Sequence, residues 1–393
     1  ALEVGLADRK RAAVEELALA KHPALAAARA RVAAARGRQV QAGLYPNPVI
    51  GYHGTEIGNF NTAGQQGGFV SQRLITGGKL ALDQAVAGKG TLAACFQLRT
   101  EEQRVITDVR VRFYEALAAQ RRVALTGDLA QIGDELVAAT RKLLEGGLKS
   151  ESDFLQAEIR ADEADILLDN AQNELYESWR RLAAATAVPN LTNPILCGSL
   201  DAPGQQLDWN ECTAYVLGNN PLLRDARARA AQAKLALCRA QKEPLPNVDV
   251  MVSVRHLVPT DSDVANVQVG IPIPLFNRNQ GNICAASAEW TAACREIQRL
   301  ELSLRDQLAE AYRRYANAWQ QSQRYASRIV PSASRSLDLV RRGYETGQVE
   351  YLILLTAQQT YLRVSLAQLD SLRELRTSEA LLEGQLLSGS LER

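Results

Sequence analysis

The chain is written twice. His22-Pro23-Ala24-Leu25, with Ala28-Arg29-Ala30-Arg31 after it, returns about 198 residues later as Asn220-Pro221-Leu222-Leu223 with Ala226-Arg227-Ala228-Arg229. Leu44-Tyr45-Pro46-Asn47-Pro48 answers to Pro244-Leu245-Pro246-Asn247-Val248, and Phe113-Tyr114 to Ala311-Tyr312. Gly147 with Phe154-Leu155-Gln156-Ala157-Glu158 matches Gly347 with Leu354-Leu355-Thr356-Ala357-Gln358. The order holds along nearly the whole chain, so a duplicated unit of about 200 residues constrains every fold considered. We take residues 1–187 as the first repeat, 188–206 as a linker and 207–393 as the second. The linker carries Pro189, Pro194, Pro203 and Gly204, residues that punctuate structure.

Each repeat reads alike. A helix of about 30 residues runs to Pro46/Pro48 or Pro244/Pro246, where the missing N–H stops it. Two extended segments follow, near 47–75 and 247–275. A long helical stretch over 78–145 or 280–345 comes next. A turn at Gly146-Gly147 or Gly347 then leads into a last helix of about 40 residues. At 1.5 Å per residue, the long stretch of about 68 residues spans on the order of 100 Å. The flanking helices, placed end to end, match it. Val105, Val109, Phe113, Ala116 and Leu117 give it an apolar face, and Arg121-Arg122 stand for the charge on the opposite one. Pro331, inside the second long stretch, is expected to kink it.

The extended segments carry a different signal. Val248, Val250, Val252 and Val254 alternate with Asp249, Met251, Ser253 and Arg255. Val267, Val269, Ile271 and Ile273 alternate with Gln268, Gly270 and Pro272. One face is aliphatic, the other polar or small. A sheet lying on a soluble core gives this pattern, and so does a barrel with lipid outside and water inside. The remaining sequence is rod helix with nothing to cover such a face, which favours lipid. The first pair, Val49–His53 and Phe69–Leu74, alternates poorly. Four strands cannot close a barrel, and open edges in a bilayer leave backbone groups unpaired. Three copies give twelve strands, inside the known range for such barrels.

Composition narrows the alternatives. A net charge of +1, from 45 basic and 44 acidic residues, argues against a nucleic-acid partner. No apolar run is long enough for a transmembrane helix, which leaves a membrane barrel open. Residues 1–20 are already a polar helical pattern with no basic stretch followed by an apolar one, so an export signal either never preceded it or has been removed. Cys95, Cys197, Cys212, Cys238, Cys284 and Cys294 include no C-x-x-C pair, and His is confined to His22, His53 and His256, so no zinc site and no cofactor is expected. Cys95, Cys238, Cys284 and Cys294 read as small buried apolar residues; Cys197 and Cys212 flank the linker, where a disulfide is an option. Gly78-Lys79 and Gly88-Lys89-Gly90-Thr91 fail as phosphate loops, since neither Lys is followed by Ser or Thr. No nucleophile elbow is present, and no enzyme is expected.

The order helix, Pro-Asn, two strands, long helix, Gly turn, helix, written twice, resembles the outer-membrane channel proteins of the TolC family. Ser71-Gln72-Arg73-Leu74 with Gly77-Gly78-Lys79 resembles its heavy-metal efflux branch, of the cobalt-zinc-cadmium resistance type. Ile273-Pro274-Leu275-Phe276-Asn277 is also a family pattern. So is the stretch from Ile329-Val330-Pro331 through Tyr344-Glu345-Thr346-Gly347 to Tyr351-Leu352-Ile353-Leu354-Leu355-Thr356-Ala357-Gln358. The resemblance covers roughly residues 12–390. It implies a mainly α fold with a small β part, and a homotrimer whose twelve-stranded barrel in the outer membrane continues as a helical tunnel through the periplasm. The implied partners are outer-membrane lipid, a periplasmic adaptor (membrane fusion protein) and an inner-membrane resistance-nodulation-division pump. The implied function is a passive conduit for ions or small molecules. A type I protein secretion channel and a soluble helical scaffold are the alternatives.

Site residues follow from this. Gly147, Leu148, Gly347 and Gln348 are expected at the adaptor-contacting tips. Val248, Val250, Val252, Val254, Val267, Val269 and Ile271 are expected to face lipid. Related channels often carry acids just after the second Gly turn, but Ile353 and Thr356 stand there. An acidic ring, if present, falls to Glu151 and Asp153, which equally suit the first turn of a helix, where negative charge is favourable.

Overall fold

A computed structural model describes residues 2–61, 63–189, 195–201, 204–346 and 348–391. In chain order the elements are α1 (Leu2–Lys21), α2 (Pro23–Ala42), β1 (Val49–Thr55), β2 (Gln65–Leu74), α3 (Lys79–Glu145) and α4 (Glu151–Ala185). The second half gives α5 (Trp209–Asn219), α6 (Pro221–Lys242), β3 (Val248–Leu257), β4 (Ser262–Gly270), α7 (Gln280–Arg324), a π-helical turn (Tyr325–Ile329), α8 (Val330–Glu345) and α9 (Tyr351–Glu383).

The opening helix of each half is broken, not continuous. His22 separates α1 from α2 and Asn220 separates α5 from α6, each directly before a proline. Proline crowds the residue before it out of helical geometry, and Asn220 accordingly has φ −58° and ψ 121°. The proline then starts the next helix, where its missing N–H costs nothing. His22 caps α2: its Nδ1 accepts from the Ala24 N–H at 3.3 Å. The residue pair that exposed the duplication is thus the pair that breaks the helix.

Pro331 acts through helix geometry. A proline lacks an N–H and its ring presses on the carbonyl four residues back. The turn before it widens into a π-helix, in which the Val330 N–H donates to Tyr325 O.

The chain divides into two compact units. One comprises Ala1–Ala27, Arg99–Asn220 and Leu302–Arg393; the other comprises Ala28–Leu98 and Pro221–Glu301. Each draws on both halves of the sequence. The first is helical, and its apolar cores include the following. Phe113, Ala116, Leu117, Trp179, Leu182, Leu200, Leu369 and Leu372 make one. Val216, Leu308, Ala311, Tyr315, Ala318, Leu375 and Leu382 make another. Much of the supposed linker is packed here. Leu200 is fully buried, and Gln120 exchanges hydrogen bonds with the Leu196 backbone at 3.0 and 3.2 Å. Trp319 Nε1 donates to Gly204 O at 3.2 Å, Tyr312 to Leu207 O at 3.1 Å, and Tyr315 to Gln205 O. Pro194 and Pro203 lie outside the described residues.

The second unit holds one four-stranded antiparallel sheet, in the order β1-β2-β3-β4, with α2, α6 and the first parts of α3 and α7. Consecutive strands pair, so β1 and β4 are its two edges.

Candidate functional site

The register aligns one aliphatic row across all four strands. Ile50 pairs with Val70, Val70 with Val252, and Val252 with Val267. Gln72, Val250 and Val269 form a parallel row. On this face Ile50, Val267 and Val269 are 78%, 71% and 60% exposed, and Val252 and Val254 are also exposed. Val248 and Val250 share the face but are half-buried. Ile271 is exposed one residue beyond the end of β4. The first strand pair, which alternates poorly on paper, supplies Ile50, Tyr52 and Val70 to the same face. Its glycines hid the pattern: Gly51 lies under Phe69, whose ring a Cβ there would meet at 2.5 Å. The other face carries Ser71, Met251, Ser253, Asn266 and Gln268, with an ion pair between Arg73 and Asp249 at 2.7 Å.

Where strands become helices, the chain is fastened to itself. The Lys79 side chain is 2% exposed, and its Nζ donates to Leu245 O at 2.6 Å and Asn247 Oδ1 at 3.1 Å. Asn247 Oδ1 also accepts from the Thr76 N–H at 3.3 Å, and the Thr76 hydroxyl donates to Pro246 O. Arg239 pairs with Asp83 and Glu243 beside it. The Gly77-Gly78-Lys79 motif thus has a physical reason. Both glycines take left-handed geometry, and Gly77 admits Leu245, which a Cβ would meet at 2.8 Å. A cleft of about 1010 Å³ runs from this clasp to the exposed segment 272–277. Lys79 fails as a phosphate-loop lysine, and no spacing along the chain announces the clasp it makes.

The hairpin between α3 and α4 ends in a Schellman turn: Leu148 N donates to Leu143 O and Gly147 N to Leu144 O, both at 2.9 Å. Gly147 has φ 71°, and Leu148 is 75% exposed. At the other hairpin Gln348 is exposed and its N–H donates to Gly343 O at 2.8 Å; Gly347 lies outside the described residues. Glu151 is exposed. Asp153 completes a capping box with Ser150, accepting from its N–H and its hydroxyl. The Ser150 backbone N–H, then its hydroxyl, hold the Asp153 carboxyl below the usual carboxylate range. Tyr351 packs against Leu136, Ala157 and Leu355, and burial pushes its phenol up.

Several sequence expectations change. All six cysteines are free thiols, so Cys197 and Cys212 are unpaired, and Cys284 and Cys294 are exposed, not buried. Burial, then Asp208 and Glu211, push the Cys212 thiol up. Arg122 on the charged face pairs with Glu174 of α4 at 3.3 Å and with Asp370 of α9, and Arg373 reaches the same Glu174 at 3.6 Å. Only the fold brings these residues together, and their spacing gave no signal. His256 Nδ1 lies 3.0 Å from Asp263 on the neighbouring strand. Among the described residues no group of three or more His, Cys, Asp or Glu is placed to hold a metal ion. No helix there is long and apolar enough to cross a membrane.

The chain is similar to known proteins in sequence and in fold. The cobalt-zinc-cadmium resistance protein of Cupriavidus metallidurans is 26% identical over 254 residues, 63% of this chain and 59% of that protein. The chain therefore spans less than two thirds of that relative. The crystal structure of CusC superposes with a TM-score of 0.77 at 17% identity, covering 97% of this chain and 92% of that one. The open-state outer membrane channel MtrE of Neisseria gonorrhoeae gives a TM-score of 0.77 at 17% identity, with coverages of 96% and 88%. At these identities the structures speak for the fold alone. The profile of one family, outer membrane efflux protein, matches residues 14–188 and 215–386. With both halves matched over most of their length, the chain belongs to the outer membrane efflux protein family.

Proposed function

We propose that this chain is the outer-membrane channel of a tripartite efflux system, and that three copies close one twelve-stranded barrel. The observation that carries the reading is the sheet: four strands, one exposed aliphatic face, and two edges with backbone groups left to pair. A barrel in lipid uses all three features. The channel performs no chemistry. It passes ions or small molecules that an inner-membrane resistance-nodulation-division pump delivers through a periplasmic adaptor. The resemblance to a cobalt-zinc-cadmium resistance protein supports divalent metal ions as cargo.

In this reading Val248, Val250, Val252, Val254, Val267, Val269 and Ile271 face lipid. Gly147, Leu148, Gly347 and Gln348 meet the adaptor. The two sequence halves, 1–187 and 207–393, are the duplicated units that give the assembled tunnel its repeating wall. The test is the molar mass of the protein in mild detergent, by light scattering with the detergent mass subtracted. We expect three chains per particle. A monomer or dimer that needs no detergent would overturn barrel closure.

A further inference from the structure

We propose that Tyr45 and Asn47 of one copy clasp Arg278 and Gln280 of the next, sealing the seam between copies where strands become helices. The proposal rests on closure of the barrel by several copies. Its template lies inside each chain. At the internal seam between β2 and β3, Lys79 donates to Asn247 and Leu245 lies over Gly77. The duplication writes these four positions a second time.

Local geometry fixes the correspondence. α3 begins at Lys79, directly after left-handed Gly78 with φ 70°. α7 begins at Gln280, directly after left-handed Asn279 with φ 61°. The first turns close alike: Leu82 N donates to Gly78 O at 3.1 Å, and Ile283 N to Asn279 O at 3.0 Å. Gln280 therefore stands for Lys79, and Arg278 for Gly77. On the facing strand, Pro46-Asn47 stands for Pro246-Asn247 and Tyr45 for Leu245. The turns before them also agree: Gly43 N donates to Val40 O at 3.1 Å, and Glu243 N to Ala240 O at 3.2 Å.

Within one chain this second set cannot meet, because β1 and β4 are opposite edges of the sheet. Its members stand open. Tyr45 is 64% exposed, and Arg278 and Gln280 are exposed. Asn47 is exposed, and its side chain makes no hydrogen bond among the described residues. When β4 of one copy takes β1 of the next, the set is brought together as the first set is by β2 and β3.

The substitutions are matched in chemistry. Leucine over glycine becomes Tyr45 beside Arg278, a ring face offered to a guanidinium. Lysine to asparagine becomes Gln280 to Asn47, one amide to another. Gln280 Nε2 already donates one hydrogen to Phe276 O at 3.3 Å and has a second for Asn47 Oδ1. A charged guanidinium and a free amide at this level suit a second copy better than lipid.

The test places the photo-crosslinker benzoylphenylalanine at position 45, an exposed site. Copies grown in light and heavy nitrogen are mixed before assembly in detergent. The expected product joins position 45 of one copy to residues 276–280 of another. Cross-links only to lipid, or to other segments, in particles that keep three chains would overturn the clasp and leave barrel closure standing. Particles without three chains would remove both. As a second measurement, in a chain whose exposed Cys197, Cys284 and Cys294 are replaced by serine, Asn47→Cys combined with Gln280→Cys is expected to give disulfide-linked dimers and trimers that neither single variant forms. A double variant running only as monomer from intact three-chain particles would also count against the clasp.

Discussion

His22 shows how one residue carries several duties. It ends α1, caps α2 through Nδ1, and is 2% exposed, with Nε2 buried and without a partner. Burial lowers its pKa from the ordinary 6.5, while Asp108 and Glu101 of α3 act to raise it, and burial wins. The fold therefore favours neutral His22. That contribution to stability is fully present above pH 6.5 and is lost as the pH falls through the lowered folded-state value. Thermal stability is expected to fall as the pH is lowered from 7.5 to 5.5 in the native chain, and less so in His22→Asn, which keeps a capping oxygen. Equal slopes in both would show that His22 is not the group responsible. Val252 makes a second residue-scale case. It sits mid-row between Val70 and Val267. Val252→Arg on a lipid face is expected to cost about 2–4 kcal/mol at the bilayer midplane. The yield of three-chain particles from membranes reads this out. Undiminished yield would mean that the row faces water.

At the scale of elements, ends matter more than middles. The long helices are legible from spacing alone. Their termini depend on single residues: Ser150 with Asp153, Gly147 in the Schellman turn, Pro23 and Pro221 opening α2 and α6. Asp153 has its carboxylate committed to the turn. Ser150→Ala is expected to destabilise the start of α4 by about 0.5–2 kcal/mol. Hydrogen exchange of amides in residues 151–156 should speed up accordingly, with cation conductance unchanged. Altered ion selectivity without faster exchange would point instead to an acidic ring at Glu151 and Asp153. The strands were half legible. β3 and β4 alternate openly, while β1 and β2 spend outward or inward positions on Gly51, Gly54, Gly67 and Gly68, which carry no side chain to read. Register then recovered what composition hid, by setting Ile50 and Val70 in the row of Val252 and Val267.

For the whole molecule, the proposed functional unit is an assembly of several copies. One chain leaves the outer edges of β1 and β4 without a partner strand and an aliphatic face open, and it leaves Leu148 and Gln348 exposed at the hairpin ends. Cysteine at Leu148 or Gln348 is expected to cross-link to the co-expressed adaptor, and cysteine at Arg181, an exposed position far along α4, is not. Cross-linking at Arg181 alone would refute the tip assignment. The sequence by itself determined the duplication, the order of helices and strand pairs and the family pattern, because these rest on spacing along one chain. It could not show that Lys79 is buried against Leu245 and Asn247, that Arg122 joins α3 to α4 and α9, or that the linker is packed around Leu200. Those contacts join residues far apart in the sequence, and no periodicity records which distant partner a side chain meets. Only the tertiary structure, which sets burial and register together, decided them.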